Sequence, residues 1–224
     1  MRKILYFALF VVMLASCTPA KLTTKSVTYK NLYNEKPLSI LALPPINRST
    51  KVEAKELFYS SLAVPFTLQG YYVMPPLLSM EILKEESAYD SEMFINGSMK
   101  KVGELFGVDA VLFTTIHQWT KTSIASQINV KIEYLLKSTK TDEILFNRIG
   151  NVTLNISLNT GNVLANIVGG MIATSLTKEI VVGRNCNMYT ISDIPAGKYS
   201  PNFGLDGEKP AQAKEFTSTI QNSF

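Results

Sequence analysis

The chain has 224 residues, of which 46% are hydrophobic, and a formal net charge of +4. This length suits one domain of ordinary size with a substantial core. A charge so mild gives no basic face or stripe of the kind that nucleic-acid-binding proteins present, so no nucleic-acid partner is expected. With two cysteines and one histidine, the chain offers no His or Cys cluster for a metal, and no metal or cofactor is predicted.

The N-terminus has the layout of a secretory signal, predicted over residues 1–16. A short basic segment, Met1–Lys3, precedes the uncharged apolar run Ile4–Ala15. That run is too short to cross a hydrocarbon core of about 30 Å. At Leu14–Cys17 the sequence LASC resembles a bacterial lipobox, and this resemblance implies cleavage before Cys17 and acylation of its sulfur. The alternative is an ordinary secretory signal in which Cys17 is incidental.

Residues 17–36 are rich in Thr, Lys and Asn and are interpreted as a lipid-anchored tether. The lysines in this segment suit either a solvated linker or contact with anionic lipid headgroups. Because Cys17 is assigned to the lipid, Cys186 has no partner within the chain, and we predict that it is buried.

Residues 37–200 predict one α/β domain that begins with alternating strands and helices. Apolar runs closed by proline pairs predict strands at 38–45 and 71–76, and helical spacing of apolar residues predicts the helices. These helices are expected at 51–69, 77–86 and 98–107. Pro65 is expected to kink or shorten the first helix, and Gly107 to end the third.

Longer strands are predicted in the second half of the domain. The run 108–119 is the candidate central strand, 127–136 alternates cleanly between apolar and polar residues, and 144–158 is the return strand. Gly150 is expected to mark a bulge or a shift of phase. The order of elements favours two parallel crossovers followed by a meander. We therefore expect an α/β (α+β) fold with a mixed sheet of about five strands and helices packed on it.

The segment 163–180 is predicted to be a helix with a stripe of small residues, Ala165, Gly169 and Ala173. Small residues at this spacing let a second backbone come close, so the stripe is a candidate association surface. The alternatives are a core helix lying close against the sheet and a helix inserted at a membrane surface. A membrane span is not expected, because the apolar part is too short.

No motif for catalysis is found, so an enzyme is not expected. The single histidine, His117, has no neighbouring nucleophile or orienting group in the sequence and is interpreted as structural. A nucleophile elbow and a phosphate-binding glycine loop are both missing. Tyr71, Trp119 and Tyr199 are candidate lining residues of a small-ligand pocket.

Four stretches resemble a bacterial lipoprotein family known as domain of unknown function 799: LSILALPPINRSTKVEAKELFYSSLAVPFTLQGYYVMPP, LFGVDAVLFTTIHQW, VKIEYLLKSTKTDEILF and, near the C-terminus, TISDIPAGKYSP. The resemblance covers roughly residues 1–203. It implies a fold shared with the amino-terminal domain of TolB and the periplasmic part of CsgG, and action beside CsgG-like lipoproteins. It carries over no catalytic residue. Residues 201–224 depart from the family pattern and are predicted to form a flexible tail.

Together these observations predict an outer-membrane lipoprotein whose domain lies in the periplasm. We expect a non-enzymatic component of a cell-envelope assembly or transport and secretion system. Its expected partners are the membrane, a CsgG-like or other envelope lipoprotein, and further copies of itself. The alternative is a small-ligand-binding periplasmic lipoprotein.

Overall fold

The computed structural model describes residues 23–85, 89–122, 127–155 and 171–221. The helices in these ranges are α1 (Lys25–Thr28), α2 (Lys30–Glu35), α3 (Ala54–Tyr59), α4 (Ala63–Leu68), α5 (Pro76–Glu85), α6 (Lys100–Phe106) and α7 (Met171–Ile191). The strands are β1 (Ser39–Ala42), β2 (Ile46–Asn47), β3 (Tyr72–Val73), β4 (Ala110–Thr122), β5 (Gln127–Ser138), β6 (Ile144–Asn155) and β7 (Glu215–Gln221).

The strands form one mixed sheet in the order β3-β1-β4-β5-β6-β7, with the short β2 pairing beside β1 on β4. β1 is parallel to β3 and β4, whereas β4, β5 and β6 form an antiparallel meander. β7 returns parallel to β6. This arrangement confirms the predicted α/β domain with crossovers followed by a meander. The sheet has seven strands rather than about five, because β2 and β7 were not expected.

Helices cover the sheet on both faces and enclose two groups of buried side chains. The larger group joins the sheet to α3, α4 and α7, and includes Phe58, Phe66 and Cys186. The smaller group lies under α5 and α6 on the opposite face. Strand alternation separates the two, since Ile40 belongs to the larger group and Leu41 to the smaller. Cys186 is fully buried, as predicted, and burial raises the pKa of its thiol.

The polar face of β5 is half-exposed, as its alternating sequence predicts. Ile132 points into the core, and its neighbours Lys131 and Glu133 lie on the other face. The Glu133 carboxylate lies 3.0 Å from His117 Nε2 and also accepts a hydrogen bond from the Asn147 amide at 3.0 Å. His117 is thus a half-buried member of a polar group on this face.

The stretch 51–69 folds as two short helices rather than one. Pro65 lies in the first turn of α4, where its missing N–H leaves no intrahelical bond unmade. This position explains why the proline shortens the helical region without disrupting α4. Gly107 follows α6 with a φ of +64° and ends the helix, as predicted.

The predicted tether is wrong from Thr23 onward. Residues 25–35 form α1 and α2, and Tyr29 and Leu32 are buried in the core. Tyr29, Leu32 and Tyr33 have helical spacing, but the many polar residues around them hid this short pattern. The folded domain therefore begins well before residue 37.

The predicted flexible tail at 201–224 is also wrong for the described residues. Residues 215–221 form β7, which pairs with β6 along its length. Ile220 is buried and Phe216 is partly buried against the core. Two apolar side chains in seven residues are too weak a pattern to identify a strand from sequence.

Gly150 does not mark a bulge. It pairs with Ile132 in an unbroken register, and the shift between β5 and β6 lies between Leu136 and Lys137. A Cβ atom at position 150 would collide with the Thr190 hydroxyl. The glycine is needed because the end of α7 packs closely on β6 at this point.

A second close approach, at Gly183, gives a test of the packing of α7. A Cβ there would lie 2.7 Å from the Leu57 carbonyl oxygen of α3. Alanine favours a helix over glycine by about 1 kcal/mol, but displacing a packed backbone costs about 1–3 kcal/mol. We therefore expect Gly183→Ala to lower the free energy of unfolding, as measured by urea denaturation. Arg184→Ala, at the exposed neighbouring position, is the control, and a more stable Gly183→Ala protein would contradict this packing.

Candidate functional site

The N-terminal segment is fastened to the loop before β7 by backbone hydrogen bonds. The Lys25 N–H donates to Lys209 O at 2.9 Å, and the Ser26 N–H donates to Gly207 O at 3.0 Å. In return, the Ala211 N–H donates to Thr23 O at 2.8 Å. The chain is therefore held in place from Thr23 onward.

A cluster of buried charged and tyrosine side chains lies beneath this backbone contact. Lys25 Nζ is 3.6 Å from Asp193 Oδ1 and 3.9 Å from Asp206 Oδ2. The Tyr29 hydroxyl donates to Asp193 Oδ2 at 2.6 Å, and the Tyr33 hydroxyl donates to Asp206 Oδ1 at 2.8 Å. We name these five residues the N-terminal latch.

The electrostatics of the latch keep its tyrosines protonated. Burial, together with the hydrogen bond to Asp193, raises the pKa of Tyr29 far above its ordinary value. Burial and Asp206 raise the pKa of Tyr33 in the same way. Each hydroxyl therefore remains a donor, and each carboxylate has a charge-assisted hydrogen bond that offsets part of its desolvation.

The two aspartates also bind the segments that follow α7. Asp206 Oδ2 accepts a hydrogen bond from the Ala196 N–H at 2.9 Å, and Asp193 Oδ2 accepts one from the Gln212 N–H at 2.8 Å. A carboxylate that bridges segments so far apart in sequence fixes their relative positions. The latch thus joins the N-terminal segment to residues 193–212.

Arg148 of β6 extends this network toward β7. Its side chain is 1% exposed and donates to Thr190 O at 3.1 Å and to Ala213 O at 3.3 Å. It also donates to the Gln212 side chain, and its guanidinium lies 4.3 Å from the centre of the Phe216 ring. Arg148 therefore fixes both the end of α7 and the start of β7 on the sheet.

The latch limits how far the domain can move from its anchor. Thr23 is the sixth residue after Cys17, and six extended residues span at most about 20 Å. Cys17 itself lies outside the described residues. If Cys17 carries the lipid, as the lipobox predicts, the latched end of the domain stays within this distance of the membrane.

The candidate association stripe falls largely outside the described residues. Ala165 and Gly169 are both outside the described residues. Ala173 lies in the first turn of α7, where only the backbone is described. The stripe therefore stays a prediction.

The candidate pocket residues lie at two ends of the sheet. Tyr71 is buried, donates from its hydroxyl to Pro195 O at 2.8 Å, and is close in backbone to the exposed Tyr199, whose N–H donates to Gly70 O at 2.9 Å. Trp119 is buried against Phe58, edge to face, with ring centres 5.9 Å apart. The strand register separates Tyr71 from Trp119 by roughly 30 Å. The three residues therefore do not line one pocket.

Tyr71 does line a small cavity, together with Leu32, Tyr33 and Phe203. Its volume is about 50 Å³, whereas pockets for ligands of drug size have about 300–1,000 Å³. A space of this size holds a few water molecules.

Two further properties concern only the part of the chain that the structure describes. No group of three or more His, Cys, Asp or Glu side chains there is arranged to hold a metal ion. Of the helices in the same ranges, none has the length and apolar character needed to cross a bilayer.

Sequence reasoning missed the latch because its members are spread from residue 25 to residue 206. Lys25, Asp193 and Asp206 look like surface charges in the sequence, and only the fold shows that they meet. The spacing of Tyr29, Leu32 and Tyr33 was the one local signal for a packed N-terminal segment.

The latch predicts a large loss of stability in Asp193→Asn. The substitution removes the closer of the two partners of the buried Lys25 and weakens the acceptor for Tyr29 and Gln212. We expect the free energy of unfolding to fall by about 2–4 kcal/mol, with faster amide hydrogen exchange at residues 24–36. Glu215→Gln, which weakens an exposed ion pair with Lys131, should leave the free energy of unfolding nearly unchanged. Equal effects of the two substitutions would contradict the latch.

The latch also predicts how the effect of Tyr29→Phe on the free energy of unfolding depends on pH. Near pH 8 the lost hydrogen bond to a buried carboxylate should cost about 1.5–3 kcal/mol. The ordinary tyrosine pKa of 10.0 applies to the unfolded chain, and the pKa of Tyr29 is raised in the fold. Because Tyr29 ionises at lower pH in the unfolded chain, its contribution to the free energy of unfolding is lost above pH 10. The variant has no such contribution to lose. The difference in free energy of unfolding between the wild type and the variant should therefore shrink by about 1.4 kcal/mol per pH unit. Urea denaturation near pH 8 and about pH 11 checks this, with Tyr72→Phe as control, and a constant difference would contradict it.

The sequence of this chain matches a known protein family and a lipid attachment motif. Residues 27–199 match the family model described as "Putative lipoprotein GNA1162-like", and residues 1–18 match the prokaryotic membrane lipoprotein lipid attachment site. The curated "Putative lipoprotein NMB1124/NMB1162" of Neisseria meningitidis serogroup B is 28% identical over 174 residues, which are 75% of this chain and 79% of the relative.

A solved lipoprotein structure shows the same fold. Lipoprotein GNA1162 from Neisseria meningitidis matches with a TM-score of 0.50 and 24% identity, over 65% of this chain and 99% of that one. A PelC dodecamer from Paraburkholderia phytofirmans matches with a TM-score of 0.41 and 11% identity, over 73% of this chain and 91% of the PelC chain. The chain belongs to the GNA1162-like family and, by its lipid attachment site, is a membrane-anchored lipoprotein.

Proposed function

We propose that this protein is an outer-membrane lipoprotein, acylated at Cys17, whose periplasmic domain is a non-enzymatic component of a cell-envelope assembly or transport system. The observation that carries the proposal is the short connection between the lipid and the fold. The chain is held from Thr23, so that only the five residues 18–22 connect Cys17 to the domain. A rigid body kept within about 20 Å of a membrane is suited to docking other membrane-bound proteins.

The edge strand β7 supplies the docking surface in this proposal. Among the described strands, β7 lies at the end of the sheet, with β6 on one side. Glu215 pairs with Ile149, whose N–H donates to Lys214 O at 2.8 Å. In a parallel ladder this register turns the backbone polar groups of Glu215, Thr217 and Thr219 away from β6. No described strand pairs with these groups, and we propose that a partner strand does.

The side chains of β7 are suited to strand addition. Thr217 and Thr219 are exposed and uncharged, and threonine favours extended backbone. The lysines and prolines that commonly protect an edge from pairing do not occur between Glu215 and Gln221. The partner we propose is a CsgG-like or other envelope lipoprotein, which follows from the resemblance of the sequence. The relation to TolB and CsgG likewise stays a prediction.

Small-ligand binding has weaker support. Tyr71 is the only one of the three candidate pocket residues that lines a described cavity, and the volume of that cavity is about 50 Å³. Trp119 contributes to the core instead, through its contact with Phe58. The assembly role is therefore the better explanation of the geometry.

The proposal is tested by cross-linking in intact cells, followed by detergent extraction and mass spectrometry. The variants are Thr219→Pro, which removes an N–H that faces away from β6, and Thr219→Val, which keeps that N–H at nearly the same side-chain volume. We expect the wild type and Thr219→Val to cross-link to an envelope lipoprotein. Thr219→Pro should lose at least about nine-tenths of that product, equivalent to about 1.4 kcal/mol of binding.

Two controls make the result decisive. Thermal unfolding should show that Thr219→Pro remains folded, because proline is tolerated on the outer side of an edge strand. Cys17→Ala should lose incorporation of labelled fatty acid and, with it, the cross-linked product. A wild-type protein recovered alone would overturn the assembly role, and an undiminished product from Thr219→Pro would overturn docking through β7.

A further inference from the structure

Exposed apolar side chains lie beside the point where the N-terminal segment enters the latch. Val27 is 67% exposed and Leu205 is 75% exposed. Val27 follows Ser26, whose N–H donates to Gly207 O at 3.0 Å, and Leu205 lies two residues before Gly207. The backbone contact therefore places the two segments that carry these exposed side chains next to each other.

Two exposed lysines, Lys30 and Lys209, lie in the same two segments as these apolar side chains. Lys30 follows Val27 by three residues, and the buried Tyr29 lies between them. Lys209 accepts the Lys25 N–H on its carbonyl at 2.9 Å, and its side chain is exposed. Glu208 is the exposed acidic residue beside it. We name Val27, Lys30, Leu205 and Lys209 the anchor-side patch; its net charge is positive with Glu208 included.

The length of chain before Thr23 places this patch near the bilayer. Six residues from Cys17 to Thr23 span at most about 20 Å. Val27 lies four residues further on, within α1, which adds about 6 Å. Proteins commonly enter the interface of an anionic membrane through exposed apolar side chains that have lysines beside them.

Val52 is an exposed apolar side chain that lies far from this point. Val52 is 80% exposed, and its neighbour Lys51 pairs with Glu179 at 2.8 Å. Glu179 lies about 18 Å from the end of α7 at 1.5 Å per residue, whereas the latch residue Asp193 follows that end directly. Val52 is therefore a matched control of similar exposure away from the anchor.

We infer that the anchor-side patch lies against the membrane and binds anionic phospholipid headgroups. Val27 and Leu205 enter the headgroup region, and Lys30 and Lys209 contact the phosphates. The lipid and the patch then form two attachments that fix the orientation of the domain on the bilayer. This inference rests on acylation of Cys17, but not on any protein partner.

The test uses the full mature lipoprotein in vesicles of phosphatidylcholine with and without phosphatidylglycerol. Val27→Cys, Leu205→Cys and Val52→Cys are each labelled with an environment-sensitive fluorophore; the native Cys186 is buried and should not react in the folded protein. Lipids that carry a nitroxide near the headgroup quench a fluorophore that touches the membrane. We expect strong quenching at positions 27 and 205 in the anionic vesicles, and at least about fivefold less at position 52.

Charge reversal identifies the ligand. Lys30→Glu with Lys209→Glu should reduce quenching at position 205 to the level in vesicles without phosphatidylglycerol, since each lysine contributes about a fivefold effect on such a surface. Quenching at position 205 that equals that at position 52 would overturn the inference. A change in fluorescence at position 205 that requires an added envelope protein rather than lipid would also overturn the inference, because the patch would then be a protein-docking surface.

Vesicle flotation separates this failure from failure of the proposed anchor. A protein that floats with the vesicles but shows no quenching at position 205 is anchored without the inferred orientation. A protein that does not float lacks the lipid on Cys17, which overturns both the inference and the anchoring in the proposed function.

Discussion

The interaction on which the arrangement of this domain depends is the contact of Lys25 with Asp193 and Asp206 in the core. Buried charges are costly unless each one has a partner and hydrogen bonds. Here the two carboxylates receive Tyr29, Tyr33 and backbone N–H groups as well as the ammonium group. If any one of the joined segments left, a charge would remain buried without compensation, so the segments are held in place together.

This mutual dependence links the two ends of the chain. Residues 211–214 run from the backbone partner of Thr23 to the start of β7, and Arg148 holds the same stretch on β6. Within the described residues, the N-terminal segment from Thr23 and the edge strand β7 are therefore held together by one network. A partner that pairs with β7 meets a strand whose position relative to the membrane is already restricted.

The centre of the fold could be predicted from the sequence because its signals are local. Alternation along β5, the continuous apolar run of β4 and the helix stop at Gly107 each depend on neighbouring residues. The ends could not be predicted in this way, since burial of Lys25 depends on aspartates more than 160 residues away. The prediction of a bulge at Gly150 was wrong for the same reason, because the glycine is required by contact with Thr190 of α7 and not by its own strand.

The latch also changes what a lipid anchor can achieve. A free tether of residues 17–36 would reach roughly 65 Å from the membrane, whereas the six residues left outside the latch reach about 20 Å. For a flexible connection, the effective concentration toward other membrane-bound proteins falls roughly as the −3/2 power of its length, so shortening it from twenty residues to six raises this concentration by about sixfold. In the proposed assembly role, this confinement would strengthen weak pairing along a single edge strand. The buried charges would then act on assembly by shortening the connection to the membrane, although they touch neither the lipid nor a partner.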